Sequence, residues 1–149
     1  MATLSGVNAT LRDGAVPAMI PKGEQYGRVR VAYDTYTSAG AIALNDVINM
    51  MILPAGARVI DVYLSSTDHG TVGLCTVGWP ATSADTVDLA GFLSTVDIKA
   101  AAITTAMSTK VNLAGMLKKF TVATQVQIKI TEATDAAGTF KLAVTYVID

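Results

Sequence analysis

The chain has 149 residues, a formal net charge of −1 and a single cysteine, so it has the length of one domain and can close no disulfide within itself. Its eleven basic and twelve acidic residues are scattered rather than clustered, which excludes a nucleic-acid footprint or a polybasic membrane patch. Charged residues make up 15% and apolar residues 51%, against roughly 25% charged in an ordinary soluble domain, and so low-charge a surface suits burial in an oligomer.

The first 24 residues read as an extended N-terminal arm, and residues 25–149 as a β-sandwich domain. In the arm, Leu4, Val7, Leu11, Val16, Met19 and Ile20 follow neither a helical nor a strand period, and Pro17 and Pro21 keep the backbone extended. It lacks the basic start and apolar block of a signal peptide. Such a segment either wraps its own sandwich or lies on a neighbouring subunit, where buried area offsets the cost of ordering it.

From Arg28 onward the pattern becomes alternating, the mark of strands with one buried face. Val29, Val31 and Tyr33 alternate with Arg28, Arg30 and Ala32, which sets the valines and tyrosine on one side. Two strands flank Pro54–Ala55–Gly56, a type II turn in which glycine takes the left-handed position. The second of them is mixed, with Ile60, Val62 and Leu64 on one side and Val59, Asp61 and Tyr63 on the other. No run approaches the roughly 18 apolar residues of a spanning helix, since Met50–Leu53 already stops at Pro54.

After the turn "TDHG" comes the strand "TVGLCTVGW", which Pro80 ends. Asp97 is placed to cap a short helix over "DIKAAAITTAM". Near the end, Val126, Ile128 and Ile130 alternate with Gln125, Gln127 and Lys129, and Phe140, Leu142, Val144, Tyr146 and Ile148 alternate with Lys141 and Thr145. With "EATDAAG" between them, these two strands read as a hairpin. Six to eight strands and at most one short helix give an all-β chain, an antiparallel, jelly-roll-like β-sandwich.

Candidate chemistry is sparse. His69 is the sole histidine and reads as a solvated turn residue, and its neighbour Asp68 points away from it in an extended segment, so no triad forms. Cys75, mid-strand with nothing basic beside it, reads as a small apolar residue. The acidic pairs Asp85 with Asp88 and Glu132 with Asp135 lack the spacing and glycine of a calcium loop, and no glycine-rich phosphate cradle is present. Catalytic, metal and cofactor sites are therefore expected to be absent, and the active-site motifs of trimeric jelly-roll-like nucleotidases are not found. Trp79 suits packing at the end of the sandwich better than stacking on a sugar. A carbohydrate-binding module using Trp79, Tyr33 and Tyr36 is the alternative of a different class.

Taken in order, "ATLSGVNATLRDG", "VPAMIPKGEQYGRVRVAYDTYT", "ALNDVINMMILPAGARVIDVYLSS", "GTVGLCTVG" and the closing pair of strands resemble the small virion structural proteins of tailed bacteriophages, the capsid decoration or cement class. The most characteristic piece is "LPAGARVIDVYL", whereas residues 81–119 contribute little. The resemblance implies a β-rich protein, commonly a homotrimer, that is made in the host cytoplasm and seated at capsomer junctions. There it stabilises the expanded head by binding the major capsid protein, with no enzyme activity or cofactor. A head-fibre base or tail component is the second structural reading. On this view Leu11, Val16, Met19 and Ile20 of the arm dock on a neighbour, and Arg28 and Arg30 orient its exit through polar contacts.

Overall fold

A computed structural model of the chain describes residues 28–99, 103–107 and 114–148. They form eight strands: β1 (Arg30–Thr37), β2 (Val47–Leu53), β3 (Ala57–Ser66), β4 (Leu74–Trp79), β5 (Asp88–Asp97), β6 (Ile103–Ala106), β7 (Thr124–Glu132) and β8 (Thr139–Ile148). One four-stranded sheet has the order β1-β8-β3-β6 and the other the order β2-β7-β4-β5. Every pairing is antiparallel. Of the consecutive strands only β4 and β5 are neighbours in one sheet, and every other connection crosses the sandwich, which is the wiring of a jelly roll.

Alternation put the right residues in the core for β7 and β8: Val126, Ile128 and Ile130 face Phe140, Leu142 and Val144 across the interior, all essentially inaccessible. The two strands are not a hairpin, however. β7 pairs with β2 and β4, β8 pairs with β1 and β3, and the intervening loop carries the chain from one sheet to the other. A strand from either sheet turns one face to the shared core, so the same alternation arises whether successive strands pair or cross.

The mixed pattern of β3 also has a backbone cause. Val59 lies opposite Tyr146 and Asp61 opposite Thr145, so Ile60 is an extra residue in a bulge. Ala57 and Val59 are buried before it, and Val62, Leu64 and Ser66 after it. A second bulge in β2 sets Met50 and Met51 against one residue of β7, and the Gln125 side chain donates to the carbonyls of both, at 2.6 and 3.2 Å. Between these strands Gly56 has φ 82°, the left-handed position expected of it, and the Ala57 amide donates to the Pro54 carbonyl at 3.1 Å, so Pro54 opens the turn and Ala55, not the proline, takes its first central position.

Two further expectations are corrected. Asp97 caps no helix: it ends β5, its carboxylate accepts the Lys99 amide at 3.0 Å, and the chain resumes as strand β6. In β1 the buried face is reversed. Ala32 and Asp34 lie opposite the core residues Val144 and Leu142, leaving Val31 and Tyr33 outward. A bulky apolar set facing water outvoted a small inward alanine in the sequence pattern, because the pattern registers hydrophobicity and not direction.

The two ends of the sandwich are closed differently. At one, Trp79 meets Phe92 and Phe120 edge-on, with ring centroids 4.9 and 5.4 Å away, and its indole donates to the Thr86 carbonyl at 3.0 Å. Lys118 lies 5.6 Å above both the Trp79 and Phe120 rings and pairs with Asp85. At the other end backbone and side-chain bonds tie four connections together. Gly138 is joined to Ser38, Thr134 to Ile42, and His69 to both Ile98 and Ala136.

Candidate functional site

Each residue that could have carried chemistry has a structural employment. Cys75 is fully buried in the core, and burial pushes its thiol up to about 12. Asp85 is engaged by Lys118, and Asp88 accepts the Ala90 amide at 3.1 Å. Asp135 accepts from the Thr71 amide and hydroxyl at 2.8 and 2.6 Å, and the hydroxyl bond above all holds its carboxyl below the usual range. Glu132 lies 3.9 Å from Lys99. Among the described residues no three His, Cys, Asp or Glu side chains converge as a metal site would require.

His69 departs from its expected place: it is fully buried and stacked on Phe140, not solvated. Asp68 does not orient it, because the Asp68 carboxylate accepts the Gly70 amide at 2.6 Å. Trp79 is only 4% exposed, so it packs at the end of the sandwich and offers no face to a sugar. That removes the principal residue of the carbohydrate-binding alternative and leaves Tyr33 and Tyr36 from its set.

What the fold does present is a surface. On the outer face of the first sheet the register aligns Tyr33 of β1, Ala143 of β8 and Tyr63 of β3 in one row. Thr35, Lys141, Ser65 and Thr104 form the next row. Strands about 4.8 Å apart put the tyrosines roughly 10 Å from each other, with only a methyl group between them. The result is a trough of about 280 Å³, whose lining includes Tyr33, Tyr63, Lys141 and Ala143. Tyr33 is 80% exposed and Tyr63 45%. The Tyr63 hydroxyl bonds the Asp61 carboxylate, which raises the phenol's pKa and tethers that ring, whereas Tyr33 stands on β1, the end strand of the sheet's order.

Val29 and Val31, also well exposed, continue the apolar strip along β1. Arg28 and Arg30 are exposed at the same end of the strand. Leu11, Val16, Met19 and Ile20 lie outside the described residues. A trough walled by two tyrosine rings can hold a partner by contact area and ring packing. Sequence reasoning found Tyr33 but missed Tyr63, Ala143 and Lys141, which become neighbours only through the β1-β8-β3 order.

No family model matches the chain, and neither does any curated protein. Solved structures do. A chain of the cyanophage Pam1 capsid asymmetric unit is 23% identical, with a TM-score of 0.65, over 92% of this chain and 97% of that one. A chain in the capsid of Ralstonia phage GP4 is 21% identical, with a TM-score of 0.68, over 89% and 92%. A chain in the acidic stable capsid of the Helicobacter pylori bacteriophage KHP30 is 21% identical, with a TM-score of 0.56, over 80% and 87%. At such identities the likeness is one of fold.

Proposed function

We propose that this protein is a non-enzymatic virion structural protein of a tailed bacteriophage, a decoration or cement subunit that binds the major capsid protein and stabilises the head. The observation that carries this reading is the match of the fold, over 97% and 92% of their lengths, to chains found in two phage capsid structures. The surface supports it. An exposed apolar strip from Val29 to Tyr33 and a trough between two tyrosines suit a protein that works by spreading area over neighbours. On a symmetric lattice many such contacts of modest strength add up.

In this reading the protein acts as a homotrimer on the capsid surface after synthesis in the host cytoplasm. The arm over residues 1–24 docks on a neighbouring subunit through Leu11, Val16, Met19 and Ile20, with Arg28 and Arg30 at its exit. Removing residues 1–24 tests the arm. The sandwich should keep its thermal midpoint while capsid occupancy falls, and unchanged occupancy would refute the arm's role.

A further inference from the structure

His69 occupies a position that a neutral imidazole tolerates and a charged one does not. Its ring lies 4.3 Å from that of Phe140, centroid to centroid, at an interplanar angle of 26°. On Gly138 a side chain would stand 2.5 to 2.7 Å from three of the ring's atoms, so only glycine lets the imidazole lie this close to the backbone. Both ring nitrogens are buried and, among the described residues, neither meets a hydrogen-bond partner. The backbone of the same residue is the knot of the loop end: its amide donates to Ile98 at 3.2 Å and its carbonyl accepts from Ala136 at 3.1 Å.

The charges of the surrounding elements are committed elsewhere. Asp68, on the histidine's own loop, accepts the Gly70 amide, and Asp135, on the β7–β8 loop, accepts from Thr71. At the end of β5, Asp97 accepts the Lys99 amide and lies 3.8 Å from the Lys99 ammonium. Glu132 at the end of β7 shares that ammonium and accepts the Gly73 amide. β8 contributes the Phe140 ring. A second proton on the imidazole would therefore leave two N–H donors and a full charge in a place where the described residues offer no acceptor, a state that costs far more than the neutral one.

We propose that His69 is an acid-operated latch: neutral, it clamps the β3–β4 loop to the β7–β8 loop, and protonated, it leaves its seat and frees both. Burial lowers the imidazole pKa and the charge of Asp68 offsets part of that, so the freed ring, near 6.5, takes up the proton first. The closed state is therefore fully favoured above about pH 6.5 and weakens as pH falls toward the lowered value. Within that window each pH unit multiplies the opening constant by up to about tenfold.

Since His69 is the sole histidine, its ring signals in the full-length protein can be followed by NMR without ambiguity. The expected result is a titration midpoint below the ordinary range. Hydrogen exchange, corrected for the intrinsic pH effect, should accelerate at residues 67–73 and 133–138 between pH 7.5 and 5, while β4 and β7 stay protected. His69→Phe, which keeps a ring and cannot titrate, should abolish that acid-dependent acceleration. An ordinary midpoint, or loops equally protected at both pH values in the wild type, would overturn the latch even if the variant fails to fold.

Discussion

On the capsid-binding role proposed above, Tyr33 is the residue on which binding should turn. It stands almost wholly in solvent at the wall of the trough, so its truncation removes contact area and leaves the core alone. Tyr33→Ala should weaken capsid binding by about 2 kcal/mol, roughly 30-fold, while stability changes by no more than about 0.5 kcal/mol. Titration of labelled protein against capsids, with a melt of each variant, separates the two effects. Lys118 is the contrasting case. Lys118→Met would strand the largely buried Asp85 carboxylate and remove the cation above Trp79 and Phe120. Because Lys118 is about a quarter exposed, the loss should be roughly 2–3 kcal/mol, under the ~3–5 of a fully buried pair, and denaturant unfolding would measure it.

Among the elements, those with a clean period were legible and those with a bulge or a reversed face were not. Val126, Ile128 and Ile130 announce β7 because nothing interrupts their spacing. Ile60 spoils the reading of β3 because a bulge changes parity, and no residue type signals a bulge there. Val31 misled for β1 because an exposed apolar side chain looks in sequence like a buried one. The two faces of that part of the sheet can be told apart by mutation. Val31→Ser should leave the unfolding free energy within about 0.5 kcal/mol, whereas Leu142→Ala should cost about 2–5 kcal/mol. At the β2–β3 turn, Gly56→Ala must place a side chain at φ 82° and should cost about 1–3 kcal/mol.

For the whole molecule, the fold class was readable because eight short strands with turn residues between them leave few alternatives to a sandwich. The trough was not. Tyr63 and Ala143 are 80 positions apart in sequence, and only the pairing of β3 with β8 makes them neighbours. His69 was hidden for a related reason: its covering residues, Gly138 and Phe140, come from the far end of the chain. A surface assembled from distant strands and a buried ring near one end are both products of jelly-roll wiring, which alternation does not encode.

The most direct test of a capsid-binding role is sedimentation of the purified full-length protein with expanded capsids stripped of it, followed by counting of bound copies at saturation. A decoration protein should reach a plateau at a fixed number of copies per capsid, set by the lattice symmetry, and should raise the temperature at which the capsids open. Failure to sediment with the capsids, or binding that rises without a plateau and leaves their stability unchanged, would contradict that role.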